Sequence, residues 1–249
     1  MKRVVLAMII IACISVSLFG AGAKETPDYV FATDATWPPM QFIDEAGALV
    51  GFEVDLVHAI GKAVGKNFEV KNVPWETIFA GLYNGAYDAV SSGVTVTEER
   101  KLEMNFSTPI LNVGQVVITT AAKSSSYSSI DDFSGKKIGV QMGTTGDISL
   151  ESYPVERRAY DDIGLAIEDM LNGNVEGVVC DSLIASDFVL ANKNYQGKLV
   201  VIGAPFTEED IAIAVNKKDA ELLKLVNEGL IKIEQDGTLA ELKKKWNIL

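Results

Sequence analysis

Histidine and cysteine are almost absent from this chain of 249 residues, which contains one histidine, His58, and two cysteines, Cys13 and Cys180. A single histidine therefore disfavours a catalytic triad or a zinc site that depends on this residue. Two cysteines without a C-x-x-C pair do not make a disulfide framework. The helical pattern around His58 predicts an exposed or half-buried helix position. We expect neither a bound metal nor a cofactor.

Positive charge is also scarce. The chain has 22 lysines and arginines against 34 aspartates and glutamates, which gives a net charge of −12. So acidic a protein is a poor candidate for binding nucleic acid or an anionic membrane. The length allows one large or two modest domains with a sizeable core.

The chain has one long apolar run, at its amino terminus. Two basic residues precede this run over residues 4–18, and Ala-Gly-Ala at residues 21–23 ends in the manner of a signal cleavage site. We interpret residues 1–23 as a secretion signal, whose removal leaves 20 basic and 34 acidic residues. A retained membrane anchor is disfavoured because the run is short for a bilayer span. A further alternative is a lipoprotein site, with Cys13 as the lipidated terminus.

Apolar periodicity predicts alternating strands and helices along the rest of the chain. Residues 52–64 have apolar positions at helical spacing and precede Gly65, a typical C-cap. Residues 105–107 are predicted to form a turn, and residues 121–129 a loop or a lobe boundary. The predicted strands are 29–33, 67–73, 86–90, 113–120, 136–141 and 210–216, and the other predicted helices are 74–85, 219–235 and 238–246.

Residues 82–90 are echoed by residues 170–178, because each segment has a helix end, an Asn-Gly pair and a short buried strand. The echo predicts two similar α/β lobes whose corresponding strand ends, at Ser92 and Asp181, face a cleft. Asp181 would serve there as the partner of an ammonium group or as a helix N-cap. The last strand and helices come too late for the second lobe, so we expect the chain to cross back and complete the first.

Residues 91–100 combine the groups that suit a carboxylate. Thr97 is a predicted N-cap, and the Thr95 hydroxyl, free backbone N–H groups and the Arg100 fork would lie at a strand's carboxyl end. The competing interpretation, a helix cap with a solvated arginine, has equal weight on spacing alone. A second Gly/Thr turn at residues 142–147 opens another helix and would also suit an anion.

The loop after the first strand carries Asp34 and Trp37 and is stiffened by two prolines. An aromatic ring and a carboxylate held on a rigid loop would line a pocket. The alternative is an N-capping aspartate beside a core tryptophan.

Several stretches together resemble the polar amino-acid-binding class of periplasmic solute-binding proteins, which feed ABC importers. The stretches are residues 34–38, 51–56, 93–100, 106–107, 143–146, 236–238 and 245–246. The resemblance covers essentially the whole mature chain in the same order. It implies an α/β fold of the two-lobed type II periplasmic-binding-protein kind, with the ligand in the cleft and a two-strand hinge. The implied divisions are 24–111 for the first part of lobe 1, 112–208 for lobe 2 and 209–249 for the return segment.

The resemblance also implies roles for individual residues. Arg100 would hold the α-carboxylate of an amino acid, helped by Thr95 and the Thr145 backbone, and Asp181 would take the α-ammonium beside the Gly93 carbonyl. The complete set implied for ligand binding is Asp34, Trp37, Trp75, Ser92, Gly93, Thr95, Arg100, Gln141, Thr144, Thr145 and Asp181. Met40 and Cys180 depart from the family's usual residues, which leaves the side-chain preference open.

The ligand's side chain is constrained by Asp34 and its neighbours. Asp34 with Trp37 and Trp75 would suit a guanidinium or an ammonium, whereas Asp34 with Gln141 would suit a glutamine-like amide. We expect a free L-amino acid, basic or polar and uncharged, and disfavour acidic and aliphatic ones. The implied partner is the membrane permease of an ABC importer, and the expected protein is a periplasmic monomer without enzymatic activity.

Two other functions remain open from the sequence. One is a dehydratase-type enzyme on the same scaffold, which needs a general acid or base against its substrate. The candidates for this acid or base are Asp34 and Asp181, and both are better suited to holding the charges of a ligand. The other is a ligand-sensing domain that acts through a receptor partner, and neighbouring genes for a permease and an ATPase would favour transport over it.

Overall fold

The computed structural model describes residues 26–248 of the protein and contains two five-stranded sheets, each at the centre of one lobe. The first half of the chain has strands β1 (Tyr29–Thr33), β2 (Thr36–Trp37), β3 (Gln41–Ile43), β4 (Leu49–Val50), β5 (Phe68–Asn72), β6 (Ala89–Val90), β7 (Met104–Phe106), β8 (Leu111–Val113) and β9 (Gln115–Thr120). Its α-helices are α1 (Phe52–Val64), α2 (Trp75–Asn84) and α3 (Glu98–Glu103).

The second half continues the alternation of strands and helices. Its strands are β10 (Lys137–Gln141), β11 (Glu156–Tyr160), β12 (Gly177–Asp181), β13 (Leu199–Ile202), β14 (Glu209–Ile211) and β15 (Ala214–Asn216). Its α-helices are α4 (Thr145–Ser149), α5 (Ile163–Leu171), α6 (Ser182–Ser186), α7 (Ala220–Gln235) and α8 (Thr238–Lys245). Shorter helical turns are Ala121–Ser126, Ile130–Phe133, Leu150–Ser152 and the π-helix Asp187–Ala191.

The two large sheets share one design, and this confirms the two-lobed α/β fold. The first has the order β5-β1-β6-β15-β7 and the second the order β11-β10-β12-β9-β13. In each, three parallel strands are followed by two that run antiparallel to their neighbours. The return strand β15 completes the first sheet, as the late position of residues 210–216 predicted.

Two short antiparallel strands, β8 and β14, link the lobes, with Val113 paired to Glu209 and Leu111 to Ile211. Gly114 lies next to this crossing, and a Cβ built there would be 2.1 Å from the carbonyl oxygen of Thr207. A side chain at Gly114 is therefore excluded by the close approach of the two chain segments. Apart from these two crossings, the lobes meet across a cleft.

The helices form where the periodicity predicts them, because their apolar faces are buried against the sheets. α1 ends at Gly65, which adopts the left-handed conformation and donates its N–H to the last turn. α7 begins at Asp219, whose carboxylate accepts from the Leu222 N–H at 2.8 Å, and packs against α1. The echo is also confirmed locally, since Gly85 and Gly173 both follow a helix with φ of 77° and 81°.

Some predicted elements were wrong in extent or type. Residues 105–107 are not a turn, because Met104–Phe106 forms β7 and pairs with β15 far along the chain. Only Ala89–Val90 of the predicted strand 86–90 is a strand. Residues 121–129 are no lobe boundary, because they begin with the helical turn Ala121–Ser126 and connect β9 to β10, which are strands of the same sheet.

The two predicted hinge-region strands are each divided. Residues 113–120 break at Gly114, and residues 210–216 break between β14 and β15, because each segment leaves the hinge to enter a sheet. The strands β11 and β13 and the small sheet β2-β3-β4 were not predicted. Their partners are set by tertiary packing rather than by local pattern.

The predicted signal segment, residues 1–23, and Cys13 lie outside the described residues. Within residues 26–248, no helix is long and apolar enough to cross a bilayer, and no group of three or more His, Cys, Asp or Glu is arranged to hold a metal ion. His58 is exposed on α1, with its Nδ1 3.1 Å from the Phe68 carbonyl oxygen.

Candidate functional site

The cleft between the lobes is lined by residues at or just beyond strand ends. Asp34 follows β1 and Ser92 follows β6 in the first lobe, while Gln141 ends β10 and Asp181 ends β12 in the second. Ligand sites of α/β sheets lie at the carboxyl ends of strands. The architecture therefore brings these four predicted residues to one region from elements that are far apart in the sequence.

The loop after β6 is held in place by hydrogen bonds to a buried carboxylate of α1. Glu53 accepts from the Ser91 hydroxyl at 2.6 Å and from the Gly93 N–H at 2.7 Å. Gly93 has φ of 60°, and a Cβ there would lie 3.0 Å from the ring of Trp37. Glycine is required at this point because the chain is left-handed and an aromatic ring covers it. Burial raises the pKa of Glu53 to about 7, against the lowering effect of its two hydrogen bonds.

Ser92 uses its hydroxyl to join the same loop to Asp34. Its Oγ accepts from the Asp34 backbone N–H at 2.9 Å and from Gln41 Nε2 at 3.3 Å. The alternative interpretation of Asp34 as a helix N-cap is wrong, because the strand β2 and no helix follows it. Asp34 is buried, and this burial raises the pKa of its carboxyl, while hydrogen bonds from Thr36 and Gln141 oppose the rise.

Gln141 joins the two lobes across the cleft. The Trp37 indole Nε1 donates to Gln141 Oε1 at 2.6 Å, and Gln141 Nε2 donates to Asp34 Oδ2 at 3.3 Å. The same Nε2 donates to the Asp161 carbonyl at 3.2 Å, which fixes the amide from the second-lobe side. Three of the predicted residues therefore form one hydrogen-bonded group between the lobes.

Arg100 lies against aromatic rings at the start of α3. Its guanidinium carbon is 5.6 Å from the ring centre of Trp75 and 5.1 Å from that of Phe79. Nη1 donates to the Thr95 carbonyl at 3.0 Å, and this is the only side-chain hydrogen bond that Arg100 makes within residues 26–248. A guanidinium has five N–H donors. Burial lowers the pKa of Arg100, and the charges of Glu209 and Asp181 oppose that effect.

The predicted N-cap of α3 is present, because the Thr97 hydroxyl accepts from the Arg100 backbone N–H at 3.1 Å. The cap and the arginine are thus parts of one arrangement rather than alternatives. The cap starts the helix and so places the Arg100 side chain beside Trp75, not in open solvent.

Asp181 occupies the position before α6 without capping it, since its side chain makes no cap hydrogen bond. Its Oδ1 instead accepts from Gln115 Nε2 at 3.2 Å. Gly93 and Asp181 line the same small cavity, together with Trp37. Burial, followed by the charge of Glu209, raises the pKa of Asp181 to about 7.

The two threonines at the start of α4 make different contacts. Thr144 is the N-cap, where its hydroxyl accepts from the Asp147 N–H at 3.3 Å and donates to the Gln141 carbonyl at 2.8 Å. The Thr145 hydroxyl instead lies 3.2 Å from that of Thr95 in the other lobe. The structure thus brings the predicted threonines together across the cleft.

Two polar residues at the cleft were missed by the sequence reasoning. Glu209 accepts from the hydroxyls of Thr95 and Thr145, and Gln115 donates to Asp181. Both residues are buried; Glu209 belongs to the hinge strand β14, and Gln115 begins β9 next to the crossing. No local motif identifies them, because their partners Thr95, Thr145 and Asp181 lie 30 to 114 residues away from them.

The model of the bacterial extracellular solute-binding proteins, family 3, matches residues 29–248. The probable histidine-binding protein of Neisseria gonorrhoeae is 33% identical over 260 residues, which cover 99% of this chain and 96% of the relative. The L-cystine-binding protein TcyJ of Escherichia coli K12 is 31% identical over 249 residues, which cover 97% and 92%.

Two solved structures have the same fold over most of the chain. An ancestral arginine-binding protein bound to arginine superposes with a TM-score of 0.82 at 35% identity, covering 88% of this chain and 97% of that one. The ancestral amino acid-binding protein AncCDT-1, described as a precursor of cyclohexadienyl dehydratase, has a TM-score of 0.81 at 30% identity, with 88% and 94% covered.

Proposed function

The chain belongs to the bacterial extracellular solute-binding proteins of family 3, and we propose that it captures a free L-amino acid, basic or polar and uncharged, for an ABC importer. Relatives of similar length are named for histidine, cystine and arginine, and a substrate-binding role in amino-acid transport follows from the family. The single observation that carries the proposal is that Arg100, which donates to the Thr95 carbonyl, and Asp181, which accepts from Gln115, belong to one hydrogen-bonded network across the cleft.

The pairing of these two charges suits a zwitterion. Arg100 would hold the α-carboxylate, with backbone N–H groups of Thr95 and Thr145 beside it, because a planar guanidinium binds a carboxylate with two parallel bonds. Asp181 and the Gly93 carbonyl would take the α-ammonium. Both charges are desolvated in the cleft, so each needs the ligand's opposite charge to compensate it.

The ligand's side chain would lie between Asp34, Trp37, Trp75 and Gln141, with Ser92 behind them. Asp34 favours a cationic or hydrogen-bond-donating group and disfavours a carboxylate. An aliphatic side chain would leave Asp34 and Gln141 without the ligand donors they suit. Thr144 would contribute indirectly, through the helix that it caps.

A thermal-shift screen against the twenty amino acids, ornithine, citrulline and cystine tests this function. At about 100 times the dissociation constant, a true ligand adds about 2.7 kcal/mol to the free energy of unfolding. For a chain of this size that amounts to a shift of several degrees. A shift by arginine, lysine or ornithine assigns Asp34 and the tryptophans to cation recognition, and a shift by glutamine or cystine assigns the site to Gln141 and Ser92. No shift with any of them would refute amino-acid capture.

A dehydratase is the second candidate, because AncCDT-1 is described as a dehydratase precursor and Asp181 has a pKa of about 7. A carboxyl with such a pKa suits general acid catalysis. We nevertheless propose a binding protein without enzymatic activity, since the relatives are named as binding proteins. Turnover of a prephenate-like substrate by the purified chain would reverse that assignment.

The cellular setting follows from the same proposal. The chain would be exported by residues 1–23 to the periplasm, with lipid attachment at Cys13 as a minor alternative. It would act as a monomer and deliver its ligand to a membrane permease, whereas a sensory role would require a receptor partner. Mass spectrometry of the mature protein tests the cleavage site.

The proposed lobe boundaries rest on the sheets and on the β8–β14 crossing. Residues 24–111 and 209–249 would form lobe 1, and residues 112–208 lobe 2. The lobes would close on the ligand by bending at this crossing. Small-angle scattering that is unchanged by a tight ligand would contradict closure.

A further inference from the structure

Glu209 is the meeting point of three threonine hydroxyls. Its Oε2 accepts from Thr95 at 2.9 Å and from Thr145 at 2.6 Å, and its Oε1 accepts from Thr207 at 2.7 Å. Thr95 lies beyond a strand of the first sheet, and Thr145 opens a helix of the second lobe. One carboxylate on the hinge strand β14 therefore binds a hydroxyl from each side of the cleft.

The hydrogen atoms of this group can be assigned from chemistry. An ionised carboxylate has only acceptors, and a hydroxyl has one O–H donor and two lone pairs. Thr95 and Thr145 must therefore each give their one proton to Glu209 Oε2. Although their oxygens are 3.2 Å apart, no proton remains for a bond between them. Each hydroxyl oxygen can then only accept from any further partner.

The side-chain amide of Gln115 extends this network to Asp181, and there too the acid is the acceptor. Gln115 Nε2 donates to Thr145 Oγ1 at 3.3 Å and to Asp181 Oδ1 at 3.2 Å, which uses both of its hydrogens. Gln115 Oε1 is buried and has no hydrogen-bond partner within residues 26–248. The unpaired atom of this network is therefore an acceptor as well. Every hydrogen of these side chains is donated to Glu209, Asp181 or Thr145. The network can therefore only accept hydrogen bonds from a ligand.

We propose that Glu209 determines the ligand specificity of the cleft by orienting the Thr95 and Thr145 hydroxyls as acceptors, so that this face takes an ammonium group and rejects a carboxylate. The inference rests on the proposed function, since it assigns which end of the bound amino acid faces Glu209. The ligand's α-carboxylate is left to Arg100 and to backbone N–H groups. This assignment replaces the expectation that the Thr95 hydroxyl suits a carboxylate, because that hydroxyl gives its hydrogen to Glu209. The acceptor face formed by Glu209, Asp181 and the two hydroxyls receives the α-ammonium, whose three hydrogens need three acceptors.

The test compares an amino acid with its analogue that lacks only the α-amino group. The amino acid with the largest thermal shift is used, with its deamino partner: δ-guanidinovaleric acid for L-arginine, imidazolepropionic acid for L-histidine, glutaramic acid for L-glutamine, or the corresponding acid of another ligand. Dissociation constants are measured by calorimetry for the natural chain and for Glu209→Gln. Glu208→Gln is the matched control, because it makes the same change at the preceding, exposed residue.

We expect Glu209→Gln to lower the affinity for the amino acid about 10- to 100-fold, which is the loss typical of removing a hydrogen bond to a charged group. The deamino analogue should bind Glu209→Gln at least as tightly as it binds the natural chain, because a negative charge has been removed. The preference for the amino acid therefore falls at least about tenfold, while Glu208→Gln keeps it. An unchanged preference in Glu209→Gln, or equal weakening of both ligands, overturns the inference and leaves Glu209 as a link between lobes.

Thr95→Val provides an independent variant if Glu209→Gln does not fold. It removes one accepting oxygen with little change in shape, so the preference for the amino acid should fall in the same direction. An unchanged preference in Thr95→Val also overturns the inference. Failure of the proposed function is recognised separately, because the natural chain would then bind no amino acid, and both proposals would fall.

Discussion

The indole Nε1 of Trp37 donates to Oε1 of Gln141 at 2.6 Å, although the two residues are 104 positions apart and belong to different lobes. Both are buried, and Gln141 also donates to Asp34 beside Trp37. A buried hydrogen bond between lobes exists only while the lobes are together. The proposed closure of the lobes would therefore form the proposed side-chain pocket in the same step.

Gln141→Ala tests this relationship. The change removes the acceptor of the Trp37 indole and one of the donors to Asp34, so the buried indole N–H is left unpaired and Asp34 loses a hydrogen bond. We expect ligand affinity, measured by calorimetry, to fall about tenfold or more. Gln196→Ala, an exposed glutamine of the second lobe, should leave it unchanged. Equal affinities of both variants and the natural chain would show that Gln141 does not couple closure to binding.

Gly93→Ala should destabilise the protein. Its φ of 60° is unfavourable for alanine, and the new Cβ would lie 3.0 Å from the Trp37 ring. We expect a loss of about 1–3 kcal/mol, measured by urea unfolding. Gly47→Ala is the matched control, because Gly47 also has a positive φ, of 81°, but has no atom within 4 Å of the added Cβ. Equal losses in the two variants would mean that the tryptophan contact contributes nothing.

The raised pKa of Glu53 makes stability depend on pH. Because the pKa is about 7 in the folded state against an ordinary value of 4.5, the folded state retains a proton that the unfolded state releases. The corresponding stability is present below about pH 4.5 and is lost as the pH rises to about 7, by roughly 3 kcal/mol in total. Urea unfolding of the natural chain and of Glu53→Gln should show this difference, with a flatter dependence in the variant. Parallel curves would rule out a titrating Glu53.

Ligand binding should depend on pH through Asp181. Its pKa of about 7 reflects burial first and the charge of Glu209 second, with Gln115 and Arg100 acting in the opposite direction. An ammonium ligand needs the ionised carboxylate, so affinity should fall as the pH drops below about 7. We expect the dissociation constant to be about tenfold higher at about pH 6 than at about pH 8. Asp181→Asn should bind weakly at both values, and a natural chain with equal constants would contradict the assignment.

Much of the fold could be predicted because its signals are local. The helix Phe52–Val64 follows from apolar spacing and from Gly65, and the Thr97 cap follows from its neighbours. The strand Met104–Phe106 could not be predicted, because its partner β15 lies more than a hundred residues later. Local pattern does not reveal which segment will supply a strand's hydrogen bonds.

The residues proposed for the site could be named from the sequence, but their hydrogen bonds could not. Arg100 was identified from the carboxylate-binding groups of residues 91–100 and Asp181 from the echo, and the resemblance implied a role for both. Hydrogen bonds connect the two residues into one network at the cleft. Glu53 was part of a matching stretch, but its burial depends on Ser91 and Gly93 of another element. Glu209 had no signal in the sequence, since its partners Thr95 and Thr145 lie 114 and 64 residues away.

Calorimetry of Arg100→Ala with the amino acid found by the screen tests the central claim most directly. Removal of the guanidinium would leave a ligand carboxylate buried without its counter-ion, which costs about 2–5 kcal/mol. The predicted result is one-to-one binding by the natural chain and a loss of roughly 30-fold to several thousand-fold in the variant. Arg158→Ala, at an exposed arginine of β11, should bind as the natural chain does. Equal affinities of Arg100→Ala and the natural chain would contradict capture of an amino acid by its carboxylate in this cleft.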